Sequence, residues 1–445
     1  MLNKKKFFLF AKKNLIFALP IVAGQIGQML FGVADVFVAG HHSNEALAAL
    51  GLSSGLMSPA FMFGIGALNA VGPLSAHVKG QGIEGHHFFP AAILSALFLG
   101  LLVWPVTLLM LSFYHAMGLN PALLPYVRDY LGLCAPSIVF AFLFQASKEY
   151  LQAHGHNIFA NVTILVFNLL NLILNYLFMF GKVPIPAMGV KGLALATLLT
   201  RFLMALVVFL YVIKVFDLKK KFLLTLDKKS IMAIFKLGFP LGLGVLTEVL
   251  VFCTVTLLIG KMEIVFSAAH NLVLTLASLT FMLPLALSSA ASVKVAHSKG
   301  ERDYEGVVYN GFTCAALSVV FMTLTATTYF LIPSHIVSLY TQDAQLIAVA
   351  SSLLFYVGLF QIPDGLQITL WGYLRGLGIA RAPLIMCLLC HWLIGLPLGY
   401  SLAFYYGMKA QGLWLGLTIG LTTLAVGLVL TWRRTLLREK TFLIS

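Results

Sequence analysis

The chain has 445 residues, 60% hydrophobic and only 10% charged, with a mean hydropathy of +0.96 and a formal charge of +14. A soluble domain carries roughly 45–50% apolar and about 25% charged residues, so this composition excludes a soluble enzyme, a disordered chain and a disulfide scaffold. Apolar runs outlast the roughly ten alternating residues of a barrel strand, which leaves a polytopic helical membrane protein.

The basic stretch Met1–Lys13 leads into an apolar run of spanning length, so no cleavable leader is expected. Twelve spans are predicted, near 15–40, 46–75, 88–113, 124–152, 157–180, 188–213, 231–260, 264–293, 306–332, 344–374, 382–407 and 412–432. At about 20 apolar residues each, they need about 240, which the chain supplies. Connections are short and carry turn signals such as Asn120-Pro121 and Gly155-His156-Asn157. Residues 214–230 form a longer basic linker, separating an N-lobe (1–213) from a C-lobe (231–445) of six helices each. The fold expected is all-α, twelve transmembrane helices in two six-helix bundles.

Three acids lie deep in apolar runs: Asp35, Glu248 and Asp364. An ionisable group at membrane depth is costly and is read as functional by default. Such an acid can carry a proton or, with oxygen neighbours, hold a hard cation, so Na⁺ at Asp35 or at Glu248 and Asp364 is expected as one alternative. In span one, Gln25, Gln28 and Asp35 share a helix face. No basic residue lies within a turn of Asp35, so its charged form is expected to lack a counterion. In span five, Asn161, Asn168, Asn171 and Asn175 form one stripe. The stripe either bonds helices together or lines a cavity where Asn171 and Asn175 meet Asp35, with Thr197 of span six as a further oxygen donor.

Glu248 in span seven has only Thr247 and Gly244 close by in sequence. In span ten, Gln361, Asp364, Trp371 and Arg375 share a face, and Pro363 frees the carbonyl of Leu359 beside the acid. The five cysteines fall in apolar runs and are read as packing, including Cys387-x-x-Cys390 followed by His391, because no second ligand pair accompanies it. There is no HExxH and no Walker motif, and Gly64-x-Gly66 lies inside a helix. Enzyme chemistry, a cofactor and ATP drive are therefore not expected.

Orientation follows Lys and Arg. Apart from Arg128, Lys182, Lys191, Lys261, Lys409 and the intramembrane Arg201, all lie at the N-terminus or near loops after even-numbered spans. Both termini are expected in the cytoplasm, and the positive charge is assigned to topology and anionic lipid rather than to nucleic acid. A shift of 220 residues aligns spans one and two with seven and eight: Pro20 with Pro240, Gly24 with Gly244, and Ala76-His77-x-Lys79-Gly80 with Ala296-His297-x-Lys299-Gly300. An even number of spans per copy makes the repeat parallel, an architecture of alternating-access transporters.

The sequence resembles the multidrug and toxic compound extrusion (MATE) family in its NorM-like branch. The resemblance rests on Val33-Ala-Asp-Val-Phe-Val-Ala-Gly40, Leu237-Gly-Phe-Pro240, Ala268-Ala-His-Asn271, Ala290-Ala-Ser-Val-Lys-Val-Ala296 and Leu374-Arg-Gly-Leu-Gly378. It implies a cation-binding acid at Asp35 with Asn171, Asn175 and Thr197 around it, and coupling acids at Glu248 and Asp364. Gln28 and Asn168 are expected in the same N-lobe cavity, and Gln361 and Trp371 in one of the C-lobe. Where some members have an acid in span five, this sequence has Asn168, Asn171 and Asn175, leaving the N-lobe site one charge. The implied activity is antiport, driven by Na⁺ or H⁺, that exports amphiphilic and often cationic organic compounds from a monomer in the inner membrane. A lipid-linked precursor flippase of similar bundle architecture is the alternative, followed by a membrane enzyme or sensor.

Overall fold

The computed structural model describes residues 3–83, 85, 87–181, 186–218 and 227–444, so residues 219–226 of the basic linker lie outside the described residues. Regular structure among them is helical throughout. The first part of the chain forms α1 (Lys4–His42), α2 (Asn44–Leu68), α3 (Val71–Gly80), α4 (Phe88–Leu109), α5 (Leu124–Cys134), α6 (Ser137–Ala153), α7 (Asn157–Phe180) and α8 (Val190–Val215). The second part forms α9 (Lys228–Ile259), α10 (Ile264–Gly300), α11 (Tyr304–Leu331), α12 (Pro333–Ser338), α13 (Ala344–Gly376), α14 (Arg381–Leu388), α15 (Leu396–Phe404) and α16 (Lys409–Ile444). A π-helical stretch, Leu389–Gly395, joins α14 to α15.

Among the described residues, eleven helices are long and apolar enough to cross a membrane, and a twelfth span forms if the pair α5 and α6, bent by 42°, counts as one. The bend falls at Ala135-Pro136, where proline supplies no N–H to continue the ladder. The fourth expected span is thus a broken helix.

Packing divides the chain into two compact units: Met1–Val22 with Thr247–Ser445, and Ala23–Leu246. These units do not coincide with the chain-order halves. Helices α1 and α9 each change unit shortly after an internal proline, Pro20 and Pro240. The start of α1 belongs with the C-terminal helices. Asn14 Nδ2 donates to Thr313 Oγ1 at 2.6 Å, and Ala18 and Ile21 pack on Ala286, Leu287, Ala290 and Ala291. The start of α9 belongs with α2: a Cβ at Gly242 would lie 2.6 Å from the carbonyl oxygen of Phe63, an approach only glycine permits.

The repeated Ala-His-x-Lys-Gly tract has a structural role in both units. Lys79 Nζ donates to the carbonyl of His154 at the end of α6, and Lys299 Nζ to that of Leu377 at the end of α13, each at 3.1 Å. Both helices turn at a glycine with positive φ, Gly155 at 87° and Gly378 at 83°. Each lysine satisfies a carbonyl at the negative end of a helix dipole.

Candidate functional site

Asp35 lies late in α1 and is 5% exposed. From α7, Asn175 Nδ2 donates to Asp35 Oδ1 at 2.6 Å and to Asn171 Oδ1 at 3.0 Å. Thr197 of α8 donates its hydroxyl to Asp35 Oδ2 at 3.4 Å, and Tyr130 of α5 approaches the same oxygen at 3.5 Å. Helices α5, α7 and α8 thus each aim a donor at one buried carboxylate. All four neighbours are buried. Hydrogen bonds to an ionised acceptor in such a setting are strong.

The rest of the asparagine stripe does other work. Asn168 Nδ2 donates to the Gly27 carbonyl of α1. Asn161 bonds back to Asn157 O at 2.6 Å, and its side chain fills the space where a Cβ on Gly24 would lie. The stripe is therefore helix-joining in its first half and site-forming in its second. Gln28 is exposed and has no hydrogen bond to this cluster.

Two neighbours of Asp35 escaped the sequence reading. Tyr130 carried no signal. Arg201 did: it follows Thr197 by one turn, so a face that brings Thr197 to Asp35 brings the guanidinium with it. Its charge acts on Asp35 without direct contact. Arg201 of α8 thus adds a positive charge that acts on Asp35 at a distance, which spacing along α1 alone could not show.

In the other unit, Glu248 is not isolated. Gln367 Nε2, one turn beyond Asp364 on α13, donates to Glu248 Oε1 at 2.7 Å, and His391 Nε2 stands 4.0 Å from the same oxygen. Asp364 is close enough for its charge to interact with that of Glu248. His391 is buried, and its Nδ1 has no partner among the described residues. Cys387 and Cys390 are buried and unpaired, whereas His391, which follows them, stands beside Glu248. The π-helical stretch around His391 resets the face that α-helical spacing gives, which is why spacing could not place it. Gln361 donates to Thr280 Oγ1 at 2.8 Å, and Trp371 packs in the core.

Both arrangements are rich in hard oxygen donors, suited to a proton or a small hard cation. Among the described residues, no group of three or more His, Cys, Asp or Glu stands together as metal ligands.

Comparison with known proteins fits this geometry. The sequence profile of the MatE family matches residues 20–177 and again 240–401, two stretches that begin at the repeat-related Pro20 and Pro240. The chain is 30% identical to the probable multidrug resistance protein NorM of Agrobacterium fabrum (strain C58), over 96% of this chain and 94% of that one. It is 29% identical to the multidrug resistance protein MdtK of Yersinia pseudotuberculosis serotype O:1b, over 96% of each. In fold it is similar to the Vibrio cholerae MATE transporter VcmN in the bent form, with a TM-score of 0.87 at 18% identity, covering 99% of this chain and all of that one.

Proposed function

The chain belongs to the MatE family, and from that premise we propose that it is a secondary antiporter of the inner membrane, exporting amphiphilic organic compounds, many of them cationic, against an inward flow of Na⁺ or H⁺. The observation that carries this reading is a carboxyl site at membrane depth in each unit: Asp35 with Asn175, Thr197 and Tyr130, and Glu248 with Gln367 and Asp364. A carboxyl group whose charge is costly without a bound cation couples ion occupancy to conformation, because the ion favours whichever state compensates that charge better. Outward- and inward-open states then exchange population as the ion binds and leaves. The relatives' names support drug efflux, and their bacterial sources support the inner membrane, with both termini cytoplasmic by the distribution of Lys and Arg.

The flippase reading draws less support, since Arg201 offers a single guanidinium, short of what a diphosphate headgroup needs. The test is efflux of a fluorescent organic cation from proteoliposomes under separately imposed Na⁺ and H⁺ gradients. Acceleration by either gradient is expected, and efflux indifferent to both would overturn the proposal.

A further inference from the structure

Where α7 begins and α8 ends, the surface holds a groove of about 360 Å³ lined by Gly155, His156, Ile158, Phe159, Val162 and Tyr211. Phe159 precedes the site residue Asn171 by about 18 Å along α7, so the groove is separate from the carboxyl site. Phe159 stacks on Tyr211 with centroids 3.6 Å apart and rings 9° from parallel, which fixes one wall. Gly155 leaves the mouth open, since nothing lies within 4 Å of where an added Cβ would stand. Ile158, 63% exposed, and Val162, 48% exposed, begin a row of exposed apolar residues that continues through Val166, Leu169 and Ile173. That spacing is one helix face, and α7 is of spanning length, so the row meets acyl chains.

The polar groups at this end of the groove are donors. His156 stands at the N-cap of α7 without capping it through its side chain. Its ring is held edge-on to Tyr211 and Phe216, with centroids 6.3 and 5.6 Å away. Neither the His156 ring nor the Tyr211 hydroxyl has a hydrogen-bond partner among the described residues. Lys214 is exposed three residues past Tyr211, and therefore beside it on the surface of α8. Neither Lys214 nor the nearby acid Asp217 makes an ion pair among the described residues. The sequence that follows adds Lys219, Lys220 and Lys221, so the charge around the groove is positive.

We propose that this groove binds an anionic phospholipid, with one acyl chain along Ile158, Val162 and Val166 and the phosphate on the Tyr211 hydroxyl, the His156 ring and Lys214 Nζ. Shape and charge assign the occupant together: the apolar row takes a chain, and the donors beside it take an anion. A chain gains little by leaving its neighbours in the bilayer, because lipid tails are as apolar as these side chains. Preference for one lipid therefore comes from the headgroup, where a basic residue is worth about fivefold in binding an anionic surface. A choline headgroup would bring its own positive charge toward Lys214.

The experiment titrates the full-length protein, purified in a neutral detergent and freed of lipid, with dioleoyl phosphatidylglycerol or dioleoyl phosphatidylcholine, read by native mass spectrometry. Wild type is expected to bind one phosphatidylglycerol about fivefold or more tighter than phosphatidylcholine. Lys214→Gln should remove that preference. Tyr211→Phe should keep the ring stack and weaken both lipids, and Val162→Trp should fill the groove and abolish the tight site. Val320→Trp on α11, where the native side chain is 60% exposed, should change nothing. Equal binding of the two lipids by wild type, which needs no variant to fold, would overturn the proposal. So would a preference that survives either Lys214→Gln or Val162→Trp. A dimer that Val162→Trp dissolves would give the groove to a second copy and overturn it too. Gradient-driven export enters none of these readouts, so this proposal and the antiporter reading fail separately.

Discussion

Asp35 Oδ1 takes the amide of Asn175 at 2.6 Å, while Asn168, two turns earlier on the same helix, bonds a backbone carbonyl of α1. Two asparagines of one stripe therefore report on different things. Asn175→Ala leaves a buried carboxylate short of a donor and should impair transport per folded molecule more than it lowers the melting temperature. Asn168→Ala should lower stability by roughly 1 kcal/mol and leave the surviving protein transporting normally. Melting temperature set beside transport rate separates the two, and a pure stability loss for Asn175→Ala would count against a site role. In the other unit, Glu248→Gln and Asp364→Asn should each abolish gradient-driven export with folded protein retained in the membrane. Normal export by both well-expressed variants would sink the coupling role. The acids were legible because nothing else explains a carboxyl in an apolar run. Their partners were legible only where helical spacing carried them. Asn171, Asn175 and Thr197 were read as one of two alternatives for the stripe and again through the family resemblance, Arg201 was one turn from Thr197 and overlooked, and His391 was hidden by the π-helical stretch that aims it at Glu248.

Helices that pack in lipid gain little from hydrophobicity and depend on close backbone approach, which α15 and α16 achieve through glycines. A Cβ on Gly416 would strike the backbone of Gly399, and one on Gly420 would lie 2.9 Å from the Cα of Gly395. Gly416→Leu should therefore force the pair apart and destabilise the fold by roughly 2 kcal/mol or more, the cost of overpacking. Gly132 in α5 is the control, with nothing within 4 Å of its added Cβ. There Gly132→Ala should be neutral or stabilising by roughly 0.5–1 kcal/mol through helix propensity. Thermal unfolding in detergent checks both, and equal shifts would refute the packing argument. Spans were readable because apolar length sets them. The exchange of α1 and α9 between units was not, since the prolines at its turning points mark a bend and say nothing of which neighbour receives the bent end. The Ala-His-x-Lys-Gly repeat was visible as a repeat, yet its work as a helix-end cap needed the distant carbonyls of His154 and Leu377 in place.

Over the whole molecule, a duplicated frame carries chemistry that has diverged. The repeat offset that pairs Pro20 with Pro240 pairs Asp35 with Val255 and Gln28 with Glu248, so the carboxyl sites of the two units are not copies. Each has its own hydrogen-bond partners within its own unit. We predict two coupling ions for each substrate, one required at Glu248 and Asp364 and a second at Asp35. The number is open to a thermodynamic test, because a tenfold ion gradient supplies about 1.4 kcal/mol for every ion exchanged. With the membrane potential clamped at zero, two ions sustain a substrate gradient of about a hundredfold and one ion about tenfold. Wild-type proteoliposomes should reach the larger limit. Asp35→Asn imitates a permanently neutral site, keeps an acceptor oxygen for Asn175 while losing the one that takes Thr197 and Tyr130, and should fall to the smaller limit while export remains ion-driven through Glu248 and Asp364. A limiting ratio unchanged by Asp35→Asn would remove Asp35 from coupling and leave the acids of α9 and α13 to carry it alone.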